Sequence, residues 1–279
     1  MIINFEGGSR LSNFVILDQD FASLNEITKR MRYCLRNEIG FSLVRVGDAE
    51  NQVMAQGHIF SEEEIRQIWW AQNIEWTGIT LPNYPARDQV IASVRKADVV
   101  GVLHQEGTPI WRNLTEELFT NYRIKPKQLC YAFVNTYFPD SRDFLTMMCE
   151  HKLLLIGNPA YNFAGILKNK FGIRHVAAIP INSFDEIDKT LHMADRVEYD
   201  LALISAGSNA LILTTKLAER GKVAIDFGRA MNPEYWSKYP SHPHNIFNAN
   251  KVRQPLIQYY PARNQAFHAP ADIKGDLTE

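Results

Sequence analysis

The sequence LALISAGSNALILTTKLAERGKVAIDFG, residues 201–228, contains one complete strand–helix–strand unit. Two short apolar runs, 201–205 and 223–227, flank a segment with helical patterning at 208–220. Near-continuous apolar runs are typical of parallel strands that are covered on both faces. Two neighbouring parallel strands need a crossover connection, which is usually a helix. The stretch therefore predicts a βαβ unit within a parallel sheet.

The same alternation extends through most of the chain. Five further apolar runs predict strands at 41–46, 98–103, 129–134, 153–157 and 175–179. Helical patterns occur at 21–37, 61–73, 85–96, 109–121, 141–150, 160–171, 184–197 and 208–220. Strands that alternate with helices indicate an α/β fold with a mainly parallel, doubly wound, Rossmann-like sheet.

The pattern also predicts how the chain is organised. Residues 1–231 are expected to form one domain, and the segment 47–97, which has helices without a clear strand, is expected to form a helical cap over the sheet. Residues 232–279 contain six prolines, at 233, 240, 243, 255, 261 and 270. Proline is excluded from helix interiors. We therefore expect a tail that wraps around the domain and ends in a disordered segment.

Composition limits the possible functions. The chain has 279 residues, of which 46% are hydrophobic and 22% charged, as in an ordinary globular protein. Its formal net charge of −1 gives no electrostatic reason to expect a long nucleic acid as partner. The three cysteines form no CxxC pair, which argues against a zinc knuckle. No signal-peptide pattern and no apolar run of about 20 residues is present, so we expect a cytoplasmic protein without a membrane span.

The most informative motif follows the first predicted strand, where residues 45–50 read RVGDAE. Asp48 and Glu50 could present carboxylate oxygens to a hard cation such as Mg²⁺ or Mn²⁺. Arg45 could bind a phosphate or hold one of these carboxylates. A purely structural alternative is also open, because Asp48 suits a helix N-cap and Glu50 suits the first turn of a helix.

Two later strand ends carry candidate binding groups. Gly207, Ser208 and Asn209 lie between a strand and an apolar helix, where free N–H groups can bind a phosphate. This turn is neither a P-loop nor a GxGxxG motif, and a turn that binds nothing is equally compatible with it. Asp226 ends the last strand, and Arg229 follows it. Asp226 could bind a hydroxyl group or a metal-bound water, or could cap the next segment.

Two loops after the second and third predicted strands also contain aromatic and polar residues. The loop 107–113 reads GTPIWRN, and the loop 135–137 reads NTY. Tyr137 could stack on a base or on a sugar, but both loops are compatible with a purely structural role.

Two of these motifs together resemble a known family. Residues 44–50, VRVGDAE, resemble the VR-aromatic-GDGE signature of the GT-D type glycosyltransferases, a family once known only as a domain of unknown function. Residues 203–228 resemble the closing segment of that family, where a G-P-T-A helix start leads to a strand that ends in D-aliphatic-G. Four positions differ, because this chain has Val46 for the aromatic residue, Ser208-Asn209 for Pro-Thr and Arg229 for the usual histidine.

The resemblance implies a glycosyltransferase with a Rossmann-like domain. It implies a nucleotide-sugar donor such as a UDP-sugar, a glycan or glycoprotein acceptor, and assistance by Mn²⁺ or Mg²⁺. Carried over by position, it places the metal at Asp48 and Glu50. The nucleotide and its phosphates would contact a set of residues near the strand ends, namely Arg45, Gly47, Gly207, Ser208, Asn209 and Arg229. Asp226 and Glu234 are the candidates for a general base.

Two other functions stay open from the sequence. One is a non-catalytic domain of the same fold that binds a nucleotide or a sugar phosphate. The other is a Rossmann oxidoreductase, against which the missing glycine fingerprint argues.

Overall fold

The computed structural model describes residue 16, residues 20–67 and residues 77–239. Within them a single seven-stranded sheet has the order β3-β2-β1-β7-β6-β4-β5, and every neighbouring pair is parallel. The strands are β1 Phe41–Val46, β2 Val99–Val102, β3 Leu129–Tyr131, β4 Leu153–Gly157, β5 His175–Ile179, β6 Leu201–Ser205 and β7 Val223–Asp226. The predicted parallel α/β fold is therefore confirmed.

Helices connect the strands. They are α1 Leu24–Arg36, α2 Asp48–Ala55, α3 Glu62–Gln67, α4 Tyr84–Lys96, α5 Pro109–Asn121, α6 Arg142–Glu150, α7 Ala160–Phe171, α8 Ile187–Ala194 and α9 Asn209–Ala218. Short 3₁₀ segments occupy 132–140, 184–186, 228–231 and 233–236. Several helices begin at side-chain caps; Ser23, for example, forms a reciprocal capping box with Glu26 at the start of α1.

The side chains of each central strand alternate between two hydrophobic cores. In β6, Ala202 and Ile204 belong to one core, whereas Leu201 and Leu203 belong to the other. Helices α2, α3, α4, α5, α8 and α9 contribute to the core on what we call the first face, and α1, α6 and α7 contribute to the core on the second face. Helices on both faces explain why the strands are apolar throughout.

The segment predicted as a helical cap belongs to the first face. Val53, Ile65 and Val90 are fully buried in the first-face core together with residues of β1 and β2. The described residues of 47–97 are therefore part of the helical layer beside the sheet. The end of the helix predicted at 61–73 lies outside the described residues.

The third strand is shorter than predicted. The chain leaves the strand after Tyr131 and forms a 3₁₀ segment from Ala132 to Asp140. Strand β3 is at the edge of the sheet and pairs with β2 alone. The apolar run 129–134 was compatible with a longer strand, but Val134 is buried in the second-face core from the 3₁₀ segment instead.

The first residues of the predicted tail pack against the second face. The indole of Trp236 is fully buried, and its N–H donates to the carbonyl of Ala230 at 2.7 Å. Its ring contacts Phe163 and Phe171 of α7 at centroid distances of 5.2 and 5.6 Å. The remainder of the tail, 240–279, lies outside the described residues.

Trp236 allows a test of this packing. The variant Trp236→Ala should lose about 3–5 kcal/mol of unfolding free energy, because it leaves a large cavity among the rings of α7 and removes a buried hydrogen bond. Urea unfolding would measure the loss, and Tyr33→Ala, at a tyrosine that is 60% exposed, is the control. A loss below about 1 kcal/mol would contradict the packing of residues 233–236 onto the domain.

No helix in the described part of the chain has the length and apolar character needed to cross a membrane.

Candidate active site

The carboxyl ends of β1 and β7 lie side by side at the centre of the sheet. The chain leaves β1 toward the first face, into α2, and leaves β7 toward the second face, where Ala230 and Met231 are buried. Connections that diverge to opposite faces open a crevice beyond the strand ends, which is where open α/β sheets bind ligands.

Glu50 lies at this crevice and is held by two donors. The N–H of Gly47 donates to Oε2 at 2.9 Å, and the hydroxyl of Ser208 donates to Oε1 at 2.8 Å. A glutamate at the third position of a helix commonly returns to the N–H of the N-cap residue in this way. The structural role that the sequence left open for Glu50 is therefore present, and the bond from Ser208 joins the start of α2 to the start of α9.

Asp48 differs from Glu50 in its surroundings. Its side chain is exposed, and Oδ1 accepts the N–H of Ala49 at 2.9 Å. The N-cap position of α2 is occupied by Gly47, so Asp48 is the first residue of the helix. The carboxylate of Asp48 therefore faces solvent at the mouth of the crevice.

The electrostatic environment of Glu50 is unfavourable to its ionised form. Burial, then the negative charge of Asp226, and to a lesser degree that of Asp48, raise the pKa of Glu50 to about 7, although the bonds from Ser208 and Gly47 act in the opposite direction. Three carboxyl groups therefore lie near one another at the ends of β1 and β7.

Arg45 is committed to bonds within the protein. Its Nε donates to the carbonyl of Asp226 at 3.1 Å, and Nη2 donates to the Oδ1 of Asp226 at 2.8 Å. Its Nη1 donates to the carbonyl of Ala132 at 3.4 Å and to Oδ1 of Asn135 at 3.3 Å. Four of the five N–H groups of a guanidinium are thus used. In this arrangement Arg45 supports the carboxylate of Asp226, whereas the sequence suggested Asp48 or Glu50 as the carboxylate that it would hold.

Asp226 lies under the crevice, not at its surface. Its side chain is 4% exposed, and burial raises its pKa while the neighbouring Arg45 guanidinium offsets part of the rise. Gly228 allows the guanidinium to approach, because a Cβ at this position would lie 2.2 Å from Nη2, and its φ of +46° also favours glycine.

Asn135 is a member of the site that the sequence did not single out. It is 1% exposed, accepts from Arg45 and donates its Nδ2 to the carbonyl of Phe227 at 2.9 Å. The sequence places it in a loop after the third predicted strand, where Tyr137 is the more conspicuous side chain. Its position could have identified it as a site residue, because an amide side chain at the end of a parallel strand lies at the same edge of the sheet as Asp226.

The turn 207–209 reaches the site, but another part of the chain covers it. The N–H of Ser208 donates to the carbonyl of Thr77 at 2.8 Å, and the Nδ2 of Asn209 donates to the carbonyl of Gly78 at 2.7 Å. A Cβ on Gly207 would lie 2.5 Å from the same Thr77 oxygen. The N–H that would meet a phosphate is therefore occupied, and the turn contributes to the site through the Ser208 hydroxyl.

Arg229 and Glu234 lie on the exposed side of the turn after β7. Their side chains are 65% and 58% exposed and approach each other at 3.8 Å. Such an exposed ion pair contributes little to stability, so both groups can move toward a ligand at small cost.

Comparisons with known proteins agree with the fold. Residues 22–233 match a family model described as the GT-D fold-like domain. A solved structure described as domain of unknown function 1792, with a distinct glycosyltransferase fold, is 16% identical to this chain, and the alignment covers 81% of that structure's chain. That alignment includes 78% of this chain with a TM-score of 0.51.

Another solved structure, described as a new glycosyltransferase from Streptococcus sanguinis, is 13% identical. Its alignment covers 82% of this chain and 92% of that one, with a TM-score of 0.48. No curated protein sequence matches this chain. Because the family match extends from the start of the described fold to the turn after β7, the protein belongs to the family of GT-D fold-like domains.

Proposed function

We propose that this protein is a glycosyltransferase that moves a sugar from a nucleotide-sugar donor to a hydroxyl group of an acceptor with the help of a divalent cation. The observation that carries the proposal is the convergence of Asp48, Glu50 and Asp226 at the crevice between β1 and β7. A glycosyltransferase-type fold with carboxylates at this crevice is suited to a donor diphosphate and its cation.

The residues present fit a cation shared with a substrate. Asp48 offers an exposed carboxylate. Burial and the negative charge of Asp226 raise the pKa of Glu50 to about 7, so a bound cation would stabilise its ionised form. Within the described ranges no group of three or more His, Cys, Asp or Glu side chains could enclose a metal ion. Mg²⁺ is commonly bound by one or two carboxylates together with substrate phosphates and waters, so two protein ligands suffice.

The roles of the protein groups follow from their positions. Gly47 and Ser208 hold the carboxylate of Glu50 in one orientation, and Arg45 donates to the buried Asp226 and offsets part of the rise in its pKa that burial causes. Arg229, whose guanidinium is exposed, would bind a donor phosphate in a bidentate manner. A divalent cation at Asp48 and Glu50 would supply Lewis-acid neutralisation of the charge on the leaving nucleotide.

An inverting transfer also requires a base for the acceptor hydroxyl. Glu234 is the first candidate, because its carboxylate is exposed beside Arg229 and can reach a hydroxyl group from solvent. Asp226 is the second candidate, but its carboxylate is buried and bonded to Arg45. A non-catalytic nucleotide-binding domain is the alternative, and the N–H of Ser208, which donates to the carbonyl of Thr77, is a phosphate donor in neither case.

Thermal unfolding with a panel of nucleotide sugars, each with and without Mn²⁺, tests the proposal. One donor should raise the melting temperature by several degrees in the presence of Mn²⁺ only, since a ligand at about 100 times its Kd adds about 2.7 kcal/mol. Release of free nucleotide from that donor would then demonstrate turnover. Stabilisation without a metal requirement and without turnover would support the binding domain instead.

A further inference from the structure

Four aromatic rings form a continuous row, which we call the aromatic row. It consists of Phe21, His104, Tyr131 and Phe133. The ring centroids of Phe21 and His104 are 5.4 Å apart, those of His104 and Tyr131 are 4.6 Å apart, and those of Tyr131 and Phe133 are 5.5 Å apart. These are distances at which aromatic rings contact and orient one another.

The aromatic row lies at the same edge of the sheet as the candidate active site. Tyr131 is the last residue of β3, and His104 follows the end of β2. Ala132, between Tyr131 and Phe133, accepts the 3.4 Å hydrogen bond from Arg45. The row therefore borders directly on the network that supports Asp226.

The rings differ in exposure in a way that suits a binding surface. Tyr131 is 5% exposed, and its ring packs against those of His104 and Phe133. Phe21, His104 and Phe133 are half-buried and present part of their surfaces to solvent. A ring fixed on a packed support binds a flat ligand with little loss of side-chain entropy.

Polar groups that could contact the edge of a ligand lie on the loop that follows β2. Gln105 donates through Nε2 to Oδ1 of Asn113 at 3.3 Å, and both side chains are exposed. Amide groups can both donate and accept hydrogen bonds, as the edges of nucleobases do. A few such groups beside an apolar surface are typical of small-molecule sites.

We propose that the aromatic row holds the nucleobase of the donor nucleotide, with Gln105 and Asn113 at the edge of the base. This inference rests on the proposed function and adds the location of the base. In doubly wound folds, a nucleotide whose phosphates lie at the end of β1 extends its nucleoside over the next strands of that half, which here are β2 and β3.

A nucleobase is favoured over an acceptor sugar by the position of the charged groups. The exposed Arg229 and Glu234 follow β7, on the other side of β1 from the aromatic row. The candidate bases for the acceptor hydroxyl, Glu234 and Asp226, both lie on this side, so we assign the acceptor to the β7 side. The row at β2 and β3 then remains for the base, which needs a flat aromatic surface.

The experiment is titration calorimetry in Mn²⁺ with UDP, TDP, GDP and ADP, and with pyrophosphate as the probe that lacks a base. For the nucleoside diphosphate that binds the wild type most tightly, His104→Ala and Phe133→Ala should each weaken binding at least about tenfold, because one stacking contact is lost. Their affinity for pyrophosphate should not change. His104→Phe, which keeps a ring, should bind within about threefold of the wild type, and Tyr33→Ala serves as the control for an exposed aromatic.

The outcomes separate this inference from the proposed function. If the wild type binds a nucleoside diphosphate and both alanine variants bind it equally well, the location of the base is wrong and the proposed function is unaffected. Equal loss of nucleotide and pyrophosphate affinity would also overturn the inference, because the effect would then lie at the phosphates. If the wild type binds no nucleoside diphosphate with Mn²⁺, the proposed function fails together with the inference.

Discussion

Replacing Glu50 with glutamine is expected to lower the turnover of sugar transfer by at least about 100-fold. Glutamine can still accept one of the two hydrogen bonds from Gly47 and Ser208, but it removes the charge that would bind a cation. Neutralisation of the leaving group by a cation is worth several kcal/mol in the transition state, and 1.36 kcal/mol corresponds to a factor of ten. The rate of nucleotide release from the donor identified by thermal unfolding measures the effect.

The stability of the same variant shows whether it is folded. The sign of the expected change in unfolding free energy follows from the pKa of Glu50. The group titrates near 4.5 in the unfolded chain and near 7 in the folded protein, mainly because of burial and then because of Asp226. The folded state therefore binds the proton more tightly. The contribution of the protonated group is complete below about pH 4.5 and is lost as the pH rises through about 7.

Without metal, in EDTA, Glu50→Gln should accordingly be at least as stable as the wild type above pH 7. The expected gain is on the order of 2 kcal/mol, and it should shrink toward pH 5. A variant that loses activity and also unfolds more easily at pH 8 would contradict both the assigned role and the electrostatic account. Asp48→Asn is the matched comparison, because its exposed carboxylate should affect activity with little effect on stability.

The second large effect concerns the pair formed by Arg45 and Asp226. Arg45→Met should cost about 3–5 kcal/mol of unfolding free energy, because it leaves the buried carboxylate of Asp226 without its partner. It also leaves the carbonyl of Ala132 and the amide of Asn135 without this donor. Urea unfolding of the single variants Arg45→Met and Asp226→Leu, and of the double variant, would measure the coupling.

The double variant should be more stable than the sum of the single losses predicts, by about 2 kcal/mol or more, because no unpaired buried charge remains. It should nevertheless be inactive if Asp226 contributes to the electrostatics of the crevice. Additive losses would show that the two residues act independently, which the 2.8 Å contact between them argues against.

Much of the fold could be predicted from the sequence. The strands at 41–46, 153–157, 175–179 and 201–205 have the predicted limits, because apolar runs bounded by turn residues are a local signal. Two strands are shorter than predicted by one or two residues, and the largest difference is in the run 129–134, which is apolar throughout although the chain leaves the strand after Tyr131. A local pattern does not distinguish burial in a strand from burial in a 3₁₀ segment.

The candidate site could be predicted only in part. The position of Asp48 and Glu50 at the end of β1 follows from the motif itself, and their assignment to a metal stays a prediction. Asn135 was missed, because its role depends on Arg45, which is 90 residues away in sequence. The coverage of Ser208 by Thr77 could not be predicted either, since nothing local to either residue indicates it.

Local patterns in the sequence are therefore sufficient to predict the α/β class, the parallel sheet and the residues at the strand ends, since these depend on the periodicity of apolar residues and on short motifs. Which of those residues meet depends on the folded chain. It directs Arg45 to Asp226, 181 residues away, and Ser208 to Glu50, 158 residues away. Hydrogen-bond partners and pKa values depend on distances between remote segments, and those distances exist only once the sheet has formed.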